Sequence, residues 1–406
     1  MNRPLVFALL VALAAPAAAQ KFDALAQTPP MGWNSWNHYG CNIDDALIRR
    51  TADALVASGL RDAGYTYVNL DDCWHGERDA NGNIQADSER FPSGMKALGD
   101  YLHARGLKFG IYSDAGATTC AGRPGSQGHE FQDAAQYARW GVDYVKYDWC
   151  ATGTGEAQRN PREAYATMSR AIAAAGRPMV LSICEWGEND PWLWGRAYGH
   201  LWRTTGDIIN CWDCTIGHGN WISSGVLPIL DKQEALRAHS GPGGWNDPDM
   251  MEVGNLPTLA ENRSHFALWA MLSAPLIIGT DVPGMSSDIR AILANPRLIA
   301  IDQDPLGIAA FRWIATPEVE VWAKPLADGN WAIALLNRTA QPRDFTIDWA
   351  RHGELKDDLK GRRADFAQAR FALTDAWTGR AAGTTAAPLV RAIGPRDTHV
   401  FTLTPL

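Results

Sequence analysis

The chain has 406 residues, 46% hydrophobic and 20% charged, with a formal net charge of -8. That length supports one large domain plus a smaller one with an ample core. The acidic balance, with no block of consecutive Lys or Arg, argues against a nucleic-acid partner held through phosphates and against anionic partners generally. Residues 1–19 have a positive start at Arg3, an apolar run from Leu5 to Ala15 and a small-residue ending, Ala17-Ala18-Ala19, before Gln20. This is the pattern of a cleaved secretory signal peptide. The run is short for a membrane span, and no other stretch of about 20 apolar residues follows. The expected mature protein is therefore secreted or periplasmic, with no membrane contact.

From Met31 to about Asp304 one unit repeats: a short apolar strand ending in polar residues, a Gly-containing loop, then a helical stretch. Strands are expected at Met31 to Trp36, Tyr67 to Leu70, Lys108 to Ser113, Tyr144 to Asp148, Met179 to Cys184, Leu201 to Thr204, Gly244 to Asp247 and Pro275 to Gly279. Helical patterns intervene at Asp44 to Ser58, Gly94 to Ala104, Phe131 to Trp140, Pro161 to Ala175 and Glu261 to Leu272. Eight alternating units, without a Gly-x-Gly-x-x-Gly after the first strand, predict an α/β fold of the (β/α)8 TIM barrel type over residues 20–304. After Asp302-Gln303-Asp304-Pro305 the pattern changes to short alternating strands, clearest at Glu318 to Ala323, Trp331 to Leu336, Arg343 to Trp349 and Asp397 to Leu403. Residues 305–406 are expected to form a C-terminal antiparallel β-sandwich domain packed tightly on the barrel.

In a barrel of this kind the active site lies at the C-terminal ends of the strands. Those ends read Asp71-Asp72-Cys73-Trp74, Tyr112-Ser113-Asp114, Lys146-Tyr147-Asp148, Cys184-Glu185-Trp186, Arg203-Thr204-Thr205-Gly206-Asp207 and Asn246-Asp247-Pro248-Asp249. So many acids on one rim, beside only Lys146 and Arg203, exceed what holding a fold requires. Hard-cation binding and glycoside hydrolysis are the two chemistries that would use them. His103, His129, His200 and His239 fall in helices or before strands, which disfavours a metal; neither metal nor cofactor is expected. The 18 Trp residues, many beside Gly, Asn or Asp, suit a sugar: its C–H face stacks on a ring while its hydroxyls need polar partners. Many of these rings must also simply fill the core.

Seven cysteines in an exported chain imply disulfides with at least one thiol left over. Cys211-Trp212-Asp213-Cys214 alone has the close spacing of a zinc knuckle and, with no second pair, reads equally as a local disulfide.

Met31-Gly32-Trp33-Asn34-Ser35-Trp36, Asp71-Asp72-Cys73-Trp74, Gly110-Ile111-Tyr112-Ser113-Asp114, the segment Cys120 to Ser126, Lys146-Tyr147-Asp148, Gly241 to Met250 and Ile301 to Gly307 together resemble glycoside hydrolase family 27. This is the family of α-galactosidases and α-N-acetylgalactosaminidases. The resemblance implies retaining hydrolysis of terminal α-linked galactose, with Asp148 as nucleophile and Asp207 as general acid/base. It assigns Asp71 and Asp72 to the O4 and O6 hydroxyls, Trp36 to the apolar side of the sugar, Lys146 to neighbouring hydroxyls and Arg203 to the 2-hydroxyl. Tyr112 and Asp249 would surround the nucleophile, with Cys120 on the substrate pocket. Lys146, on the same face as Asp148, would favour its charged state. Cys184, Glu185 and Trp186 would form the loop that meets C2, its bulk excluding an acetamide. An α-N-acetylgalactosaminidase, a β-L-arabinopyranosidase and a non-catalytic sugar-binding barrel are the alternatives. The intact Asp71-Asp72 pair argues against the second, and the presence of both catalytic acids argues against the third. The resemblance also pairs Cys41 with Cys73 and Cys120 with Cys150, leaves Cys184 as the free thiol, and has no counterpart for Cys211 and Cys214. The expected partner is a small-molecule or polysaccharide galactoside.

Overall fold

The computed structural model describes residues 21–406; the signal peptide read at residues 1–19 lies outside the described residues. Eight short strands, β1 (Met31–Asn34), β2 (Tyr67–Asn69), β3 (Lys108–Asp114), β4 (Tyr144–Asp148), β5 (Val180–Ile183), β6 (Leu201–Arg203), β7 (Trp245–Asp247) and β8 (Leu276–Ile278), form one parallel sheet in the order 7-6-5-4-3-2-1-8. The sheet curls shut just beyond β7: Met251 N donates to Ile277 O at 2.7 Å and Gly279 N to Met251 O at 2.9 Å. The molecule is a TIM barrel followed by a β-sandwich.

Local chemistry sets where the elements begin and stop. Helix α1 (Asp45–Ala57) starts at Asp44, whose carboxylate accepts the Leu47 N–H at 2.6 Å, leaving Leu47, Ile48, Thr51, Ala52 and Leu55 to face the barrel. Helices α2 (Gly94–His103), α3 (Glu130–Trp140) and α4 (Pro161–Ala175) follow β2, β3 and β4, and α4 opens on a proline after Asn160, whose side chain caps Glu163 N. At Gly32 a Cβ would stand 2.3 Å from Tyr67 O, so only glycine lets β1 approach β2 there. The first strand stops at Asn34, short of the expected Trp36. Trp36 instead begins a single helical turn, with its N–H on Asn34 Oδ1 at 2.8 Å.

Among the elements with no counterpart in the sequence reading are a hairpin of His75–Arg78 with Ile84–Ala86, a second of Thr215–Gly217 with Ile222–Ser224, and helix α5 (Val226–Leu236). Helix α6 (Leu259–Leu272) begins on a reciprocal cap between Thr258 and Glu261 and is buried nearly all round.

Its burial follows from the second domain. A six-stranded antiparallel sheet runs in the spatial order Phe311–Ala315, Val319–Pro325, Trp331–Asn337, Thr398–Pro405, Phe371–Asp375, Ala381–Thr384. Arg343–Ile347 pairs separately with Leu389–Ile393, and Glu354–Asp357 with Arg362–Asp365. Alternation sends Val321, Ile333, Leu335 and Phe401 into the sandwich core with Ile347, Leu355 and Leu389. Trp322, Ala332, Ala334, Leu336 and Val400 point the other way and join the barrel's own core against α6.

The opposite mouth of the barrel is closed by residues 21–30. Lys21 Nζ donates to Gly199 O and Gly243 O, His200 Nε2 lies 3.0 Å from Phe22 O, and Trp245 Nε1 donates to Ala26 O at 2.7 Å.

Candidate active site

Asp148 is the last residue of β4 and is buried, with Oδ1 on its neighbour's N–H, Trp149 N, at 3.0 Å. Burial pushes its carboxyl up to about 6; Lys146 pulls it back down, while Asp207 and Asp71 push with burial. Lys146 lies on the same face but is nearer another acid. Its Nζ is 2.8 Å from Asp71 Oδ2 and 3.9 Å from Asp148 Oδ2, so the strand-end pair expected from Lys-x-Asp is a three-way cluster with Asp71 as the close partner. The ammonium also lies 5.2 Å from the Tyr112 ring centroid.

Asp71 and Asp72 follow β2 after Leu70. Asp71 Oδ2 additionally accepts Asn34 Nδ2 at 2.7 Å, and Asp71 N donates to Ser35 Oγ at 3.0 Å, so the end of β1 holds the end of β2. Asp72 accepts Cys73 N and Ala121 N at 2.6 and 2.9 Å. His75 Nδ1 stands 3.7 Å from Asp72, but burial drives that imidazole down to about 3, so it is neutral and forms no ion pair. Tyr112, from β3, directs its hydroxyl at Cys120 Sγ, 3.3 Å away. Cys120 is bonded to Cys150, two residues past Asp148, and Cys41 to Cys73. At Gly116 a Cβ would stand 2.0 Å from Cys150 O, which is how closely the β3 and β4 loops pack under that disulfide.

On the other side Arg203, the last residue of β6, is buried to 3% exposure and bridges two carboxylates. One of its terminal nitrogens is 3.0 Å from Asp207 Oδ1 and 2.8 Å from Asp249 Oδ2. Asp207 is open to solvent, its side chain 44% exposed, whereas Asp249 is buried and also accepts Ile208 N at 2.8 Å. Asp249 has φ +85, a left-handed backbone that an Asp tolerates better than most residues, and Pro248 precedes it.

Cys184 is a buried free thiol after β5, 3.7 Å from Arg203, its pKa raised by burial and by Asp148. Glu185 does not face outward. Its carboxylate accepts Gly187 N, Asn189 N and Asn189 Nδ2 at 3.1, 2.7 and 2.8 Å, shaping the loop that turns on Trp186 with φ +59. Cys211 is bonded to Cys214, the local disulfide of the two readings left open for that pair.

The residues of this rim can therefore present several buried carboxylates and one exposed one, a lysine, an arginine and several aromatic rings to a single polyhydroxylated ligand. Comparison with known proteins gives the arrangement its class. Residues 28–304 match the family described as alpha galactosidase A, and residues 316–403 match the alpha galactosidase C-terminal beta sandwich domain. The chain belongs to glycoside hydrolase family 27, the α-galactosidases. An α-galactosidase A of Cellvibrio japonicus is 58% identical over 380 residues, covering 94% of this chain and 92% of its own. The crystal structure of α-galactosidase I from Mortierella vinacea superposes with a TM-score of 0.85 at 33% identity, over 94% of this chain and 98% of that one. The α-galactosidase of Saccharomyces cerevisiae with raffinose gives 0.87 at 29%, over 96% and 100%.

Within this family fold, further groups at the rim had been given no role from the sequence. Asp114 ends β3 in register with Asp148, accepts Gly116 N and Cys150 N at 2.6 and 3.0 Å, and is pushed up by burial and by Asp148. Asp247 ends β7, and burial raises it to about 6 against the pull of Arg203. Asn34 and Glu252 bond Asp71 and Asn37 respectively. Asp114 carried a readable signal: it shares strand parity with Tyr112.

Proposed function

We propose that this glycoside hydrolase is an exported, retaining exo-α-galactosidase acting by double displacement, with Asp148 as nucleophile and Asp207 as general acid/base. What carries the reading is the contrast between the two carboxylates. One is buried at the end of β4 beside Lys146 and the other is half-exposed after β6 on Arg203. Two acids in unlike surroundings are what separate roles require.

In the first step an Asp148 oxygen bonds the anomeric carbon as the bond to the leaving oxygen breaks, and Asp207 gives that oxygen its proton. In the second, Asp207 takes a proton from water, whose oxygen attacks the same carbon. The ester to Asp148 breaks, and galactose leaves with its configuration retained. Asp71, Asp72 and Lys146 bind the hydroxyls that distinguish an axial O4, and Arg203 and Asp249 steady the acid/base side. Trp36 closes the apolar side, Tyr112 and the Cys120–Cys150 bridge flank the nucleophile, and Cys184 with Trp186 leaves little room at C2. Glu185 holds that loop in shape. The disulfides agree with export, and among the described residues no helix is long and apolar enough to cross a membrane.

Azide tests the assignment. With an aryl α-galactoside, Asp148→Gly is expected to be inactive until azide is added, then to yield β-galactosyl azide. Asp207→Gly is expected to lose about 10²–10⁴-fold with a poor leaving group and to yield α-galactosyl azide. The same anomer from both variants, or near-normal turnover of Asp148→Gly without azide, contradicts the mechanism.

A further inference from the structure

The loop after Asp207 carries a structure that the two-carboxylate chemistry does not use. Beyond the Cys211–Cys214 disulfide the chain forms the hairpin Thr215–Gly217 with Ile222–Ser224. Three large apolar side chains on it face water: Ile216 at 47%, and Trp221 and Ile222 at 45% each. Apolar surface gathered on one exposed hairpin contributes nothing to the core and marks a place of contact.

The hairpin is held in shape. Trp221 stacks on the His218 imidazole, with ring centroids 3.9 Å apart and planes 18° from parallel. His218 Nε2 pairs with Ser223 Oγ at 2.9 Å, and His218 N donates to Trp221 O at 2.9 Å. At its base Gly225 N donates to Cys214 O and Val226 N to Cys211 O. The buried Trp212 donates its indole N–H to Arg338 O of the second domain. A ring fixed in this way binds without first losing conformational freedom.

Its position ties it to the catalytic rim. Ser224 N donates to Asp207 O at 2.9 Å and Ile209 N to Ser224 O at 3.0 Å, so the second strand of the hairpin runs beside the segment that bears Asp207. Trp221 lies three residues further out, about 10 Å at the rise of a strand.

We propose that this hairpin is a leaving-group platform, on which Trp221, backed by His218, takes the C–H face of a sugar ring in the oligosaccharide or polysaccharide that carries the galactose. The proposal rests on Asp207 being the acid/base, because the group that protonates the departing oxygen stands on the leaving-group side. The flat ring accounts for the stacking, and the exposed Asn220 and His218 beside it offer polar partners for hydroxyls. The distance from Asp207 suits a leaving group of more than one sugar unit.

The test compares two substrates on the full-length enzyme. α-Galactosyl fluoride has no sugar leaving group and reads the galactose pocket alone, whereas a galactosylated manno-oligosaccharide also reaches the platform. In Trp221→Ala the ratio of kcat/KM for the oligosaccharide to that for the fluoride is expected to fall about tenfold, through KM, and Trp221→Phe to restore most of it. An unchanged ratio overturns the platform. So does a Trp221→Ala enzyme that sediments as a smaller species than wild type, because the patch is then a contact between copies. Asp207→Ala separates this result from the underlying reading. If it still cleaves the oligosaccharide, the acid/base assignment falls; if it does not while the Trp221 ratio stays put, only the platform falls.

Discussion

Lys146 sits where the charges of the pocket balance. It neutralises Asp71 at 2.8 Å and reaches Asp148 at 3.9 Å, so removing it acts on both. Lys146→Met is expected to destabilise the fold by about 3 kcal/mol, because the buried Asp71 loses its close cation; urea unfolding measures this. It is also expected to move the acid limb of kcat/KM. Asp148 must be ionised to attack, so with its pKa raised to about 6 activity is full above that pH and lost as pH falls through it. Deleting a nearby positive charge raises the pKa further, and the limb moves to higher pH. A limb that stays put or moves down contradicts the role given to Lys146. Strand parity made Lys146 and Asp148 legible as neighbours in the sequence. It could not show that the ammonium leans toward Asp71, 75 residues earlier, because which strand ends meet across a rim is set by closure of the barrel. For a related reason Glu185 was legible only as an acid at a strand end, and not as the acceptor of three donors from the loop beyond it.

Most of the barrel's elements are legible because each has a cap or a period of its own. Asp44, Asn160 and Thr258 announce their helices, and β1 to β8 carry short apolar runs. The two hairpins are shorter than a pattern can register, and α5 is masked by Pro228 at its third residue, a position in the first turn where proline is tolerated. The end of α6 at Leu272 was legible, but not the side chain from the other domain that meets its last carbonyls. Lys324, fully buried on Val319–Pro325, donates to Ala270 O and Ser273 Oγ at 3.0 and 2.7 Å. Burial lowers its pKa from 10.5 to about 8, against the pull of Asp302 and Asp304. Between those pH values the folded state binds fewer protons than the unfolded chain, so this residue makes stability rise as pH rises from about 8 to 10.5. Lys324→Met cannot titrate. The difference in Tm between wild type and variant is expected to shift in favour of wild type across that window; a constant difference shows that the lysine is not taxed by burial.

At the scale of the molecule the barrel and the sandwich share a core. Trp322 and Val400 pack with α6 rather than with their own sandwich, and Arg237–Asp357, Arg338–Asp231 and Arg396–Glu261 cross the same boundary. Calorimetry is therefore expected to show a single cooperative transition; two resolved transitions would mean that the sandwich holds itself together. The sequence made the change from helices to strands near residue 305 legible, but not which face of the later sheet the barrel would claim, since both faces alternate apolar residues. The segment that closes the opposite mouth has a consequence for the order of assembly. Lys21 bonds carbonyls 178 and 222 residues further along the chain. Those partners lie more than half a barrel further along, so Lys21 stays unpaired until the starts of β6 and β7 are in place. A long-range closure of this kind is slow to form: the beginning of the chain docks only after most of the barrel is in place.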